Sequence, residues 1–222
     1  MIIFDCDGVL VDSEILSCGI DAGLMREAGH PITTEELIAG YIGRPKREIW
    51  AAIAEERGVS WPDGLIERAE AMLSERIATD LAPVEGVHAA LEALDVPRAV
   101  ASSSRLDKLH QSLRQCGLLG HFSPHVYSAE QVARGKPAPD VFLFAATRAA
   151  ADARSCLVIE DSVAGVTAAR AAGMTAIGFT GGRHSFPGHA EGLRAAGAVA
   201  VVTSMRDLPA TAERLHAGIA RV

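Results

Sequence analysis

With 222 residues, the chain is long enough for one large domain, or for one domain with a smaller companion. Hydrophobic residues make up 49% of it, enough for a real core, yet no run reaches the roughly 18 apolar residues of a membrane helix. A net charge of −7 with no basic block argues against nucleic acid as a partner, and any phosphate site must overcome it with local positive charge.

The chain opens with MIIFDCDG, which has no basic n-region and no cleavage-like site, so no signal peptide is expected and the cytoplasm is the default location. Met1 to Phe4 is an apolar run ending at Asp5 and reads as a buried strand. It is short for a central strand, and residues before Met1 are expected to extend it. From Ser13 to about Thr79 the pattern is helical. EILSCGIDAGLMREAGH has Ile15, Leu16, Ile20, Leu24 and Met25 at helical spacing and stops at Gly29. A short helix, a Gly-Arg-Pro break, a helix ending at Gly58 and a further helix in DGLIERAEAMLSERIA follow. Cys6, Cys18, Cys116 and Cys156 lie in no CxxC arrangement and read as reduced, packed thiols.

After Pro83 strands and helices alternate. RAVAS, HVYS, SCLVIED, MTAIGF and AVAVVTS read as strands. VHAALEAL, LDKLHQSLRQCG, APDVFLFAATRAA, SVAGVTAARAAG, AEGLRAA and a segment from about Leu208 read as helices. Continuous apolar strands between helices predict an α/β fold: a doubly wound, Rossmann-like parallel sheet interrupted after its first strand by an all-helical insertion. Such sheets bind ligands beyond the carboxyl ends of their strands.

Four strand ends carry functional side chains: Asp5 and Asp7; Ser102, Ser103 and Ser104; Lys136 in RGKPAPD; and Glu160 with Asp161. Each alone has a plain structural reading as a turn, a helix cap or favourable charge at a helix start. Together they point to chemistry. Four carboxylates in one pocket cannot all stay ionised without compensation, so either some bind protons or a cation is present. Oxygen-only ligands suit a hard ion, Mg²⁺. Ser104 and Asp107 have capping-box spacing, and the helix start beside Ser102 would make an anion seat. A carboxylate nucleophile, a hard cation, an anion seat and a lysine together describe phosphoryl transfer.

In these motifs (DCDGVLVDSE from Asp5, ASSS with Ser102, GKPAPD with Lys136, EDSVAG with Glu160 and Asp161) the chain resembles the haloacid dehalogenase superfamily, in its phosphatase branch with a helical cap. The resemblance covers nearly the whole chain. It implies a core of residues 1–12 and 80–222 and a cap of residues 13–79. It implies that Asp5 attacks phosphorus and that Asp7 protonates the leaving oxygen, then deprotonates water. Asp5, the Asp7 carbonyl and Asp161 would hold Mg²⁺, with Glu160 assisting through water. Ser102, Ser103 and Lys136 would bind the phosphoryl group, and Lys136 would orient Asp5.

Dehalogenases of the family lack the second aspartate, so Asp7 argues against that activity. Phosphonate hydrolases use a cap lysine as a Schiff base, and Lys46 in GRPKR reads more simply as polar recognition. The related β-phosphoglucomutases carry a cap-linker histidine where this chain has Ser17. In the cap, Glu14 faces the substrate or serves its helix N-terminus, and both readings stay open. Arg44, with Lys46 and Arg47, is a candidate for contact with an anionic or hydroxylated group. Trp50 and Trp61 read as packing. His184 and His189, five apart in a Gly/Pro loop, form a poor metal pattern.

The expected activity is Mg²⁺-dependent hydrolysis of a small phosphorylated metabolite, a sugar or polyol phosphate, by a monomer. The alternatives are a sugar-phosphate mutase and a non-catalytic phosphometabolite-binding domain.

Overall fold

The computed structural model describes residues 1–41 and 46–219. Ile2–Phe4 (β1), Arg98–Ser102 (β2), Val126–Ser128 (β3), Leu157–Glu160 (β4), Thr175–Phe179 (β5) and Ala200–Val202 (β6) form one sheet in the order β3-β2-β1-β4-β5-β6. Every pairing is parallel. Among the described residues there are ten α-helices: Ser13–Glu27 (α1), Thr34–Tyr41 (α2), Lys46–Arg57 (α3), Leu65–Asp80 (α4), Val87–Ala93 (α5), Leu106–Gln115 (α6), Asp140–Arg148 (α7), Val163–Ala171 (α8), His189–Ala196 (α9) and Leu208–Ile219 (α10).

The strands are mostly apolar, with polar residues only at their ends, because both faces of the sheet are covered. Side chains alternate between the faces. Ile2 and Phe4 join Val100, Ile159 and Ile177 in one core layer, with Leu91, Leu113 and Leu208. Ile3 joins Ala99, Ala101, Val158 and Ala176 in the other, where α7 packs on β2 and β3 and α8 on β4 and β5. Small residues such as Ala168 and Ala169, both fully buried, let α8 lie close to the strands.

Helices α1 to α4 lie between β1 and β2 and form the all-helical insertion. The first of them packs on α2 and α4, and α4 also touches α6. Burying side chains such as Trp50, Leu24, Met25 and Ile53 stabilises this layer by about 1.5–3 kcal/mol each. The Trp61 indole donates to the Trp50 carbonyl at 2.7 Å, and the two rings meet edge to face at 5.1 Å. Both tryptophans are packing groups, as expected. Among the described residues no helix is long and apolar enough to cross a membrane.

Strand β1 is bonded to β2 on one side and β4 on the other, so the strand order reverses there. The crevice beyond the carboxyl ends of these strands is where ligands bind in open α/β sheets.

Candidate active site

The backbone turns sharply after β1. The Asp5 amide donates to the Ile159 carbonyl at 2.9 Å, which ties the first acidic residue to the β4 edge. The amides of Leu10 and Val11 return to the Cys6 carbonyl at 2.9 and 3.1 Å. Val9, Leu10 and Val11 are fully buried, so an apolar plug anchors the turn that carries Asp5 and Asp7. Gly8 has φ +80°, and a Cβ there would stand 2.1 Å from Asp161 Oδ2. Glycine permits both the turn and the approach of Asp161.

Lys136 comes from the loop before α7 and joins three strand ends. Its Nζ donates to Asp5 Oδ1 at 2.5 Å, Glu160 Oε1 at 2.8 Å and the Ala101 carbonyl at 3.0 Å. Burial opposes the ammonium charge, but Asp5 and Glu160 outweigh it and hold the amine above the ordinary lysine range. The other oxygen of Glu160 accepts from the Ser162 amide at 2.8 Å and the Ser162 hydroxyl at 2.9 Å. A Cβ at Gly165 would lie 1.7 Å from Glu160 Oε1, so the glycine in EDSVAG makes room for this carboxylate.

Asp7 is held by three donors. Ser13 Oγ donates to its Oδ1 at 2.5 Å and Ser104 Oγ to its Oδ2 at 2.6 Å. Lys108 Nζ stands 3.4 Å from Oδ1 and 3.2 Å from Ser104 Oγ. Burial pushes the Asp7 carboxyl up, but Lys108 and the two hydroxyls outweigh it and leave its pKa below the usual value.

Asp161 has a different neighbourhood. His184 Nε2 lies 2.8 Å from its Oδ2, and His189 Nε2 donates to its carbonyl at 2.5 Å. Burial lowers the pKa of both imidazoles. Burial pushes Asp161 well above the usual carboxylate range, and Glu160 and Glu14 push it further. Asp5 is likewise raised by burial; Lys136 opposes the rise, while Glu160, Asp161 and Asp7 add to it.

The basic side chains of the site therefore leave Asp5 and Asp161 undercompensated. That is the environment in which a hard divalent cation stabilises ionised carboxylates. Among the described residues no three His, Cys, Asp or Glu side chains close into a metal cage of their own.

The structure thus gathers Asp5, Asp7, Lys136, Glu160 and Asp161. Ser102 is buried at the end of β2, and its Oγ accepts the Ser104 amide at 3.0 Å; Ser103 is exposed beside it. Glu14 is half-buried in the first turn of α1; burial and then Asp7 raise its pKa, which ties it to this cluster. Arg44 lies outside the described residues.

Three sequence expectations need correction. The Ser104 hydroxyl makes no capping box with Asp107, because it bonds Asp7 instead. The start of α6 is not a free anion seat: the Leu106 amide donates to Glu130 Oε2 at 2.9 Å and the Lys108 amide to Asp107 Oδ1 at 2.7 Å. Lys46 and Arg47 are not free cations awaiting a second anion. Lys46 Nζ donates to both Asp21 oxygens at 2.6 Å and to Ser17 Oγ at 3.1 Å, while Arg47 pairs with Glu67 at 2.8 Å.

Lys108, Ser13 and His184 escaped the sequence reading as site groups. The four-residue step from Ser104 to Lys108 was the available signal for the lysine, since it puts both on one side of a helix start. For His184 there was none, because its loop reaches the first motif through a long-range bond from the Arg183 amide to Asp12 Oδ1 at 3.0 Å.

The chain is similar to known proteins along most of its length. The family described as haloacid dehalogenase-like hydrolase matches residues 2–179. The 6-phosphogluconate phosphatase of Escherichia coli (strain K12) is 29% identical over 187 residues, covering 84% of this chain and 85% of its own. A crystal structure of a conserved haloacid dehalogenase-like protein of unknown function from Agrobacterium tumefaciens superposes with a TM-score of 0.92 at 41% identity, covering 96% of this chain and 97% of that one. A family hydrolase from Deinococcus radiodurans, solved with bound phosphate and sodium, gives a TM-score of 0.85 at 33% identity, covering 98% of this chain and 96% of that one. Sheet order, the clustered acids and lysine, and a family match over most of the sequence lead to one conclusion: the chain belongs to the haloacid dehalogenase-like hydrolases.

Proposed function

We propose that the protein hydrolyses a small phosphate monoester, a sugar or polyol phosphate, with Mg²⁺ and through an aspartyl phosphate on Asp5. The observation that carries this reading is the joining of Asp5 and Glu160 by the Lys136 ammonium at the switch point of the sheet. The phosphate bound to the Deinococcus relative and the sugar-phosphate substrate in the name of the Escherichia enzyme support it.

Asp5 forms a bond from a carboxylate oxygen to phosphorus while the ester P–O bond breaks. Lys136 orients the attacking carboxylate, and Ser102 with Ser103 receives the phosphoryl oxygens. Asp7 gives its proton to the leaving oxygen. A phosphate dianion arriving beside Asp7 raises the pKa of that group by like charge and so favours the protonated acid. Ser13, Ser104 and Lys108 hold Asp7 in place. In the second half, Asp7 takes a proton from water as the water oxygen bonds to phosphorus, and the acyl phosphate releases inorganic phosphate. Such acid–base help is worth about 10² to 10⁴ in rate. Asp5, Asp161 and the Asp7 carbonyl would hold Mg²⁺, with Glu160 behind them through water. The cation supplies the positive charge that the crowded acids and the transferred group require. Residues 13–79 act as the cap that excludes water from the first transfer, over a core of residues 1–12 and 80–222.

Two features favour phosphate-ester hydrolysis over its relatives. Ser17 occupies the cap position where the mutases keep a histidine, and its hydroxyl accepts from Lys46. The Lys46 amine is already committed to Asp21, which suits a structural ion pair rather than a Schiff base.

The test is a phosphate-release screen over sugar, polyol, sugar-acid and nucleotide monophosphates, with Mg²⁺ and with chelator. The expected result is Mg²⁺-dependent release from sugar or polyol esters. Isomer formation that needs a bisphosphate activator would point to a mutase. Phosphate binding without release from any ester would point to a non-catalytic domain.

A further inference from the structure

The loop from Thr180 to Gly188, between β5 and α9, has no role in the chemistry described above. Yet it meets Asp161 at both the side chain and the main chain. The His184 ring is 2% exposed and sits in a slot between two glycines. A Cβ at Gly8 and a Cβ at Gly182 would each stand 2.7 Å from its Cε1. The slot therefore requires glycine on both sides, one from the first motif and one from the loop itself. His184 Nε2 lies 2.8 Å from Asp161 Oδ2 but off the line of a hydrogen bond, and among the described residues neither ring nitrogen has a hydrogen-bond partner. A buried imidazole with both nitrogens unpaired costs free energy that a built interaction can recover.

The second histidine completes the grip. His189 Nε2 is 2.5 Å from the Asp161 carbonyl, which can only accept, so that nitrogen carries the proton. Phe186 stacks on the His189 ring at 4.8 Å with planes 8° apart, and the Arg183 amide pins the loop to Asp12 Oδ1 at 3.0 Å. One histidine thus fixes the main chain of Asp161, and the other faces its carboxylate.

We infer that His184 is a positioning residue for the divalent cation: its Nε2–H orients the Asp161 carboxylate toward the ion, on a backbone held by His189. The inference rests on the reading of Asp161 as a ligand of Mg²⁺. It explains why a solvent-excluded imidazole stands unpaired against an undercompensated acid. Groups that orient metal-binding side chains in this way are typically worth 10- to 100-fold in metal affinity.

The experiment is a Mg²⁺ titration of the ester-free protein by calorimetry, with melting in chelator and steady-state kinetics alongside, on wild type, His184→Leu, His184→Gln and His184→Asn. Gln keeps an N–H at about the reach of Nε2; Asn falls one carbon short, and Leu has no donor. The Leu variant is expected to bind Mg²⁺ roughly 10- to 100-fold more weakly. Gln should recover most of the loss and Asn little of it, while the KM for the ester at saturating Mg²⁺ stays near wild type. If Leu does not fold, the comparison of Gln with Asn decides. Equal Mg²⁺ affinity in all the folded proteins would overturn the inference and leave the phosphatase reading standing. Absence of Mg²⁺ binding even in the wild type would overturn both.

Discussion

Lys136 and Asp5 are 131 residues apart in sequence, yet Nζ and Oδ1 meet at 2.5 Å at the centre of the sheet. The lysine is 4% exposed, so its charge is neutralised by protein rather than by water. Removing one partner of a buried pair leaves an uncompensated charge and costs about 3–5 kcal/mol. Lys136→Ala is therefore expected to melt well below wild type. In the fraction that folds, the loss of a preorganised donor at the reacting group should lower kcat by about 10²–10³. A folded Lys136→Ala protein with wild-type phosphate release would contradict this role.

The pH–rate profile should respond to Lys108. In the proposed mechanism Asp7 carries a proton when the ester binds, and Lys108 is the leading influence that holds its pKa down against burial. Replacing Lys108 with Met raises the Asp7 pKa, so the protonated acid survives to higher pH. The basic limb of kcat/KM should move upward relative to wild type. An unmoved limb would separate Lys108 from Asp7.

Melting with Mg²⁺ and with chelator gives a third check. Asp5 and Asp161 have folded-state pKa values raised above the ordinary 3.8. Their contribution to stability is full below the unfolded pKa and is lost as pH rises through the raised values. A cation that binds the ionised carboxylates offsets this loss. The gain in Tm from Mg²⁺ over chelator is thus expected to grow as pH rises through the raised Asp5 and Asp161 values. At a 100-fold excess over Kd the gain is about 2.7 kcal/mol. For a protein of this size that is roughly 5–10 °C. A gain that shrinks with rising pH would contradict the assignment of these acids to the cation.

Two helical glycines should differ sharply. Gly165→Ala places a Cβ 1.7 Å from Glu160 Oε1, while at Gly192 the nearest atom is Val163 Cγ2 at 3.7 Å. Overpacking should cost Gly165→Ala about 1–3 kcal/mol and disturb the Glu160–Lys136 contact. Gly192→Ala should be neutral or stabilise by about 0.4–1 kcal/mol. Denaturant melts of the two variants give the comparison directly.

Much of this arrangement is legible in the sequence. The period of the apolar residues separates β1 from the helices α1 to α4, and it separates the later strands from their covering helices. Residues after strand ends must meet in a parallel sheet, which is why Asp5, Lys136 and Glu160 could be grouped from sequence. What escaped were contacts with no period behind them. Ser104 carries a strong local signal for a helix cap, but Asp7 offers its hydroxyl a half-buried carboxylate and wins. Lys46 looked free for recognition because Asp21, its partner, lies 25 positions away on another helix. His184 is invisible to pattern because its slot is built from Gly8 and Gly182 together.

The most direct test of the central claim is to trap the phosphoryl group. After a rapid acid quench of turnover with Mg²⁺ and an active ester, peptide mass spectrometry should find the adduct on the segment carrying Asp5. It should be absent in Asp5→Asn, which should also lose essentially all phosphate release. An adduct on another residue, or an Asp5→Asn protein that turns over at the wild-type rate, would contradict the account.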